Sequence, residues 1–307
     1  MKKLLPIPSI FKIPVFPIFL ALVFFGCEGE DEPIPAYVHI NEFVVESTNP
    51  NTHGSVSQKI TEASVFLVYK NSIESPHQLG ILTLPAVVPA IVSGEFEINI
   101  DPIVRANGNS LYLEVYPFYE RYQTTVSLSP NDDVEVNPVT RYRPDAKFVF
   151  VENFENNSHL FQKDRDDNPN TFIEISDVDV FEGEKSGMVS LDTANNFFVA
   201  TTLDPIEILI ADTKRVYLEV DYKTDVPLEF GVLIYNPSNG SETPNLEFVV
   251  FPREEWNKIY FDMTQLVAQA PSNNFIFVIR GGIPTENGVF TMNEAKVFLD
   301  NIKLVTF

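Results

Sequence analysis

The chain of 307 residues carries 43 acidic against 21 basic side chains, a formal charge of −22, with 44% apolar residues and one cysteine. Nucleic-acid affinity comes largely from lysine and arginine neutralising phosphates, so a surface of this sign excludes nucleic acid as a partner. The apolar fraction supports packed cores rather than disorder, and a lone thiol leaves neither a disulfide nor a thiolate metal site.

Residues 1–26 read as a targeting leader. Met1-Lys2-Lys3 gives a positive start, Leu4 to Phe25 an apolar stretch, and Gly26 a small residue directly before Cys27. The stretch is long enough to cross a bilayer as a helix, but Pro6, Pro8, Pro14 and Pro17 each remove a backbone donor and crowd the preceding turn. This order resembles a bacterial lipoprotein signal peptide, with Phe24 standing where leucine is usual. The resemblance implies cleavage before Cys27, lipidation of that residue, and a membrane contact through acyl chains. Loss of Lys2, Lys3 and Lys12 would leave 18 basic against 43 acidic side chains, a charge of −25. Residues 27–36, with Glu28, Glu30, Asp31 and Glu32 before Pro33 and Pro35, form a charged tether stiffened by proline. The acidic run is similar to the export signal of Bacteroidetes lipoproteins, which implies an outer-membrane location facing the exterior; an ordinary solvated spacer is the other reading.

From 37 to 138 short strands alternate with turn signals. Ser64 to Tyr69 is a compact apolar run; Phe96, Ile98 and Ile100 alternate with Glu95, Glu97 and Asn99, and Leu111, Leu113 and Val115 repeat the pattern. Asn107-Gly108 supplies the positive backbone angles of a tight turn. The expected fold is an immunoglobulin-like or PEGA-like β-sandwich. The segments Pro35 to Ile40, Lys59 to Ala63, Leu84 to Pro89 and Tyr116 to Tyr119 resemble a family of Bacteroidetes surface lipoproteins, a kinship that implies a shared fold and no activity. Prolines bracketing the polar stretch 139–147 mark it as a linker.

Residues 148–307 show a second β pattern. Val216, Leu218, Val220 and Tyr222 alternate with Tyr217, Glu219 and Asp221; Leu228, Phe230, Val232 and Ile234 form another face, then Leu246, Phe248 and Val250, then Phe275, Phe277 and Ile279. Val297 and Leu299 continue as Ile302 and Leu304 after a one-residue phase break at Asp300-Asn301. Eight or more such strands pack most economically as a two-sheet jelly roll, with helix only between Met263 and Ala270. Asn153-Phe154-Glu155, Phe181 to Gly187, Glu255 to Asp262 and Leu299 to Ile302 resemble the galactose-binding-like jelly roll of carbohydrate-binding modules. That resemblance implies a structural calcium ion held by Glu155, the Glu182–Ser186 loop and Asp300, two carboxylates plus loop oxygens meeting the hard cation's preference; strand-end capping by the same carboxylates is the other reading.

Sugar recognition stacks rings on pyranose faces while amides and charges bond hydroxyls. Trp256, Tyr235, Asn236 and Arg280 are the candidates, with Phe197-Phe198 near a strand end. Trp256 also lies in a strand-start motif whose ring covers a sheet edge, which points to packing. Asp164, Asp166 and Asn168 are similar to the start of a calcium-binding EF-hand loop, but Pro169 stands where glycine is required and Ile175 where a bidentate glutamate is required. No nucleophile elbow, phosphate-binding glycine loop or zinc-hydrolase motif occurs, and His39, His53, His77 and His159 are scattered. The sequence therefore points to a non-catalytic, lipid-anchored surface protein whose jelly roll meets a glycan, or to an assembly component that binds another envelope protein.

Overall fold

The computed structural model describes residues 32–54, 56–70, 73, 75–209 and 214–307; the leader and Cys27 lie outside them. Among the described residues no helix is long and apolar enough to cross a membrane.

The first half contains β1 (Ala36–Ile40), β2 (Val44–Val45), β3 (Glu62–Tyr69), β4 (His77–Thr83), β5 (Ala86–Ala90), β6 (Gly94–Arg105), β7 (Leu113–Val115), β8 (Tyr122–Leu128), β9 (Asp133–Val136) and β10 (Val139–Thr140). One sheet runs β5-β1-β9, with β1 antiparallel to β5 and parallel to β9; the other runs β4-β3-β6-β7 with β8 also on β6. Phe96, Ile98 and Ile100 are fully buried, as their alternation requires. Leu111, Leu113 and Val115 are not: they stand 89%, 40% and 45% exposed. The reason is local, because Glu114 accepts the Tyr217 hydroxyl and pairs with Arg215 at 3.0 Å, and its strand neighbours must then face the other way. Residues 139–147 are structured. Val139 and Thr140 pair with β2, and Tyr142 is 1% exposed.

The second half contains β11 (Lys147–Glu152), β12 (Lys163–Asp164), β13 (Glu174–Ser176), β14 (Ser186–Asp192), β15 (Phe197–Thr201), β16 (Ile206–Glu207), β17 (Val216–Thr224), β18 (Leu228–Asn236), β19 (Ser241–Val250), β20 (Arg253–Asp262), β21 (Asn274–Gly282), β22 (Thr285–Glu286), β23 (Val289–Phe290) and β24 (Glu294–Thr306), with one short helix, Thr264–Gln269. It is a two-sheet jelly roll. A docked sheet runs β13-β14-β24-β17-β20 with β11 also on β24; a free sheet runs β12-β15-β21-β18-β19 with β16 on β21. Between them lie Phe198, Phe230, Phe248, Phe261, Phe275 and Phe277, with Phe261 centred 5.1 Å from Phe230 and 4.9 Å from Phe248. Each such ring contributes about 1.5–3 kcal/mol on burial.

Two irregularities set register. Asn301 adopts φ +46, and across it the core side changes from Val297 and Leu299 to Ile302 and Leu304, the phase break expected from the sequence. A bulge between Phe230 and Gly231 puts Leu246 opposite Gly231 on the outer face, so Leu246 leaves the core series while Phe248 and Val250 stay in it. A Cβ at Gly231 would sit 2.3 Å from the Asn245 carbonyl oxygen, and only glycine permits that approach.

The two halves are joined through the outer side of the docked sheet. Tyr217, Tyr260 and Val305 belong to the core of the first half, and the Tyr116 ring lies 5.3 Å from Tyr217 and 4.9 Å from Tyr260. At the tip after β6, Asn107 (φ +58) and Gly108 (φ +68) turn the chain so that Asn107 Oδ1 accepts the Asp262 N–H at 2.7 Å. The polar members of the β17 alternation therefore face protein, not water.

Candidate functional site

Under the first half, the docked sheet carries a sealed charge cluster. Glu219, Asp221, Asp300 and Lys303 are 0% exposed and Lys258 is 5% exposed. Lys258 Nζ lies 3.0 Å from Glu219 and 3.6 Å from Asp221, and Ser57 of the first half donates to Asp221 at 2.6 Å. The Tyr142 hydroxyl bonds Glu219 at 2.9 Å, and the Tyr116 hydroxyl donates to the same carboxylate. Burial would raise the Glu219 carboxyl, but Lys258 and Lys303 hold it below the usual range. Burial pushes Lys303 down to about 8, with Lys258 adding to the effect. Only Lys258, at 5%, retains any exposure, and the cluster holds the halves together.

Beside it lies the expected calcium locus. Burial pushes the Asp300 carboxyl up to about 7, against hydrogen bonds from the Glu182 and Asn301 amides; the charges of Asp221 and Glu155 raise it further. Glu155 Oε1 accepts the N–H groups of Glu184 and Lys185 at 2.7 and 3.0 Å, and Asp300 Oδ2 accepts that of Glu182 at 3.2 Å. Gly183 holds φ +80, and a Cβ there would lie 2.1 Å from Glu155 Oε1. Ser186 Oγ donates to the Asp179 carbonyl at 2.6 Å. Of the sequence-expected quartet, the Glu155 and Asp300 carboxylates meet the backbone of this loop, while the Ser186 hydroxyl is taken up by Asp179. Among the described residues no three His, Cys, Asp or Glu side chains group as metal ligands, so a cation here would take two carboxylates and loop carbonyls. A buried carboxylate whose neighbours are also acidic fits a cation. Glu155 and Asp300 would hold it, and its charge would pin the loop to β24.

The acidic loop after β12 is tied internally: Asp164, Asp166 and Asn168 each accept the amide two residues on, at 3.0, 3.0 and 3.1 Å, and Asp166 also accepts the Val199 amide. These are Asx turns.

The sugar candidates are dispersed. Trp256 lies on β20 of the docked sheet; its Nε1 donates to Asp179 at 2.7 Å, and its ring sits 5.6 Å from Phe181 and 6.3 Å from Phe298. Asp179 also pairs with Lys223 at 2.6 Å, so the half-buried Trp256 is tied into the edge of the docked sheet. Asn236 caps its hairpin by accepting the Ser238 amide at 2.9 Å. Tyr235 and Arg280 share the outer face of the free sheet, but Arg280 stands opposite Glu229, six residues from Tyr235 along β18 and thus roughly 20 Å away.

That outer face has a definite make-up. Register places Val199, Arg280, Glu229 and Val249 in one row across β15, β21, β18 and β19, and Thr201, Val278, Gly231 and Leu246 in the next. Arg280 Nε donates to Glu229 at 2.7 Å. Arg165 reaches over the strands, bonding Thr201 at 3.2 Å on one side and Glu242 at 2.9 and 3.1 Å on the other. At the Arg280 end a cavity of about 500 Å³ is lined by Phe197, Pro227, Glu229, Val249 and Arg280, with Phe197 43% exposed. Sequence reasoning missed Glu229, Val249, Arg165 and Glu242. The alternation Leu228, Glu229, Phe230 already put Glu229 on the face opposite the core; strand order, which brings Arg165 and Glu242 together, was not readable.

No family profile matches the chain, and no curated protein matches it. Solved structures share the jelly-roll fold at low identity. The CBM22-2 xylan-binding domain from Paenibacillus barcinonensis Xyn10C is 13% identical, covering 52% of this chain and 99% of that one, at TM-score 0.37. A family 30 carbohydrate-binding module is 11% identical over 53% and 99%, also at 0.37. The family 11 module of the cellulosomal cellulase Lic26A-Cel5E of Clostridium thermocellum is 14% identical over 51% and 92%, at 0.36. At such values the likeness carries nothing about what this chain binds.

Proposed function

We propose that the protein is a non-catalytic, glycan-binding surface lipoprotein, anchored in the outer membrane through Cys27 and facing the exterior. The observation that carries the reading is the asymmetry of the jelly roll: the first half covers the docked sheet's outer side at Tyr217, Tyr260 and Val305, while the free sheet's outer face, buried at Thr201 and Val278, opens at its Phe197–Arg280 end. On that face Phe197 offers a ring, Val249 an apolar floor, and Arg280 with Glu229 a polar pair, the combination that stacks a sugar and bonds its hydroxyls. Glu155, Asp300 and the Glu182–Ser186 loop would hold a structural calcium away from this face. The alternative reading, docking of another envelope protein, is favoured by the exposed apolar run Leu111, Tyr112, Leu113 and Val115.

A glycan array probed with the soluble chain from residue 28 onward tests the proposal. Saturable binding should disappear in Phe197→Ala and Arg280→Ala and persist in Trp256→Ala. Absence of glycan binding, with a protein captured through the Leu111–Val115 run, would overturn it in favour of the alternative.

A further inference from the structure

A second concavity lies where the halves meet, round the free edge of β19 from the face described above. It measures about 410 Å³ and draws on both halves: Lys59, Thr61, Glu62 and Arg105 on one wall, Phe251, Arg253, Asn257 and Lys258 on the other. That volume falls in the range of small-molecule clefts. Its charge is opposite to that of the chain as a whole. Four cations face one carboxylate, in a protein whose acidic side chains outnumber its basic ones by 43 to 21.

The pairing of those cations is unequal. Arg105 is held by Glu62, and Lys258 by Glu219 and Asp221. Lys59 Nζ has an amide partner, Asn257 Oδ1, and among the described residues neither Lys59 nor Arg253 forms a salt bridge. Partial burial, then the charges of Arg253 and Arg105, lower the Lys59 ammonium. Lys59 and Arg253 therefore stand together as the two cations of the cleft that no carboxylate among the described residues pairs with. The remaining wall suits a sugar: Thr83 and Ser110 bring hydroxyls and Asn109 an amide, and Phe251 presents a ring that is 69% exposed.

We propose that this interdomain cleft binds the carboxylate of an acidic sugar residue, with Lys59 and Arg253 as its anchors and Phe251 against the ring. The chain's overall negative charge repels an extended polyanion, so the ligand is a single acidic sugar ending an otherwise neutral glycan. The site is separate from the free-sheet face and stands whether or not that face binds sugar.

Titration calorimetry at low salt, with a glucuronic-acid-terminated trisaccharide and its carboxyl-reduced neutral counterpart, tests this on the soluble full chain. The acidic sugar should bind about tenfold to a hundredfold more tightly than the neutral one, the range of a charge-assisted hydrogen-bonded contact. Lys59→Gln and Arg253→Gln should each remove most of that preference, and added salt should weaken it. Both side chains are exposed, and an unchanged melting temperature shows that the variants fold. Phe197→Ala and Arg280→Ala should leave the preference intact, which separates this site from the other face. Equal affinity for the two sugars overturns the proposal, as does a preference that survives the double variant. Inorganic phosphate or a glutamate-rich peptide that binds as tightly as the acidic sugar also overturns it, by showing a bare anion site.

Discussion

Glu219→Gln should be among the most damaging single substitutions in this protein, although Glu219 touches no solvent and no ligand. The change keeps shape and removes charge. It leaves Lys258 with only Asp221, 3.6 Å away, and takes the anionic acceptor from the Tyr142 hydroxyl at 2.9 Å and from Tyr116. Removing one partner of a buried pair costs about 3–5 kcal/mol, because the surviving charge stays desolvated. Hydrogen bonds to a charged acceptor are worth about 1.5–3 kcal/mol against about 1 for neutral ones, so the tyrosines add to the loss. With Asp221 still beside Lys258, the lower part of the range, about 3–4 kcal/mol, is expected. Urea denaturation followed by the fluorescence of Trp256, the single tryptophan, reports the second half, and far-ultraviolet circular dichroism reports both. In the parent the two signals should coincide, since the halves share a core. The double variant Glu219→Gln/Lys258→Met should recover part of the loss by removing the orphaned charge. A loss below about 1 kcal/mol, or non-coincident transitions in the parent, would refute the interlocked junction.

Further outcomes concern Asp300, two glycines and Trp256. Asp300 is raised to about 7 in the folded chain, so the folded state holds its proton more firmly than the unfolded one. In chelator, stability should then fall as pH rises from about 4 to 7 and level off above it, by up to roughly 4 kcal/mol before solvent relaxation reduces it. Asp300→Asn should flatten that profile, and millimolar calcium should raise the melting temperature of the parent but not of Asp300→Asn; identical melting curves with and without calcium would leave Glu155 and Asp300 as loop clamps. Gly183→Ala combines φ +80 with a Cβ 2.1 Å from Glu155 Oε1 and should cost more by thermal melting than Gly240→Ala, which at φ +71 with no atom within 4 Å should lose about 1–2 kcal/mol to backbone strain alone. Trp256→Phe should cost about 1–3 kcal/mol through the lost bond to Asp179 and leave glycan binding unchanged, which a loss of binding would contradict.

Much of the second half was legible because period-two alternation is a direct record of which residues face the core. Val216, Leu218, Val220 and Tyr222 are all buried in it, and the break at Asp300-Asn301 is a residue at φ +46. What alternation cannot record is what covers the other face. Glu219 and Asp221 alternate with the core series as solvated carboxylates would, and the lysine that neutralises them comes from another strand. Stretch 139–147 read as a linker from its prolines and charges, while Tyr142 in its middle is buried against Phe148, 4.9 Å away. Glu155 and Asp300, expected as partners, both accept amides of the 182–185 loop, Asp300 from the middle of β24 and Glu155 from just past β11. The sugar quartet scatters because sheet membership, which separates Trp256 from Arg280, depends on strand order and leaves no mark in local spacing.

The placement of β24 bears on the order in which the chain can fold. It is the central strand of the docked sheet, pairing with β11, β14 and β17, all of which precede it. The first half waits as well, since Tyr217, Tyr260 and Val305 complete its core. Domains that emerge in sequence ordinarily fold in sequence. Here β24 must arrive before the docked sheet is complete, and the first half's core is complete only with Tyr217, Tyr260 and Val305, so the two halves are expected to fold together rather than in turn. A deletion within β24 should accordingly cost both halves together, and limited proteolysis of such a variant would find no protected N-terminal fragment.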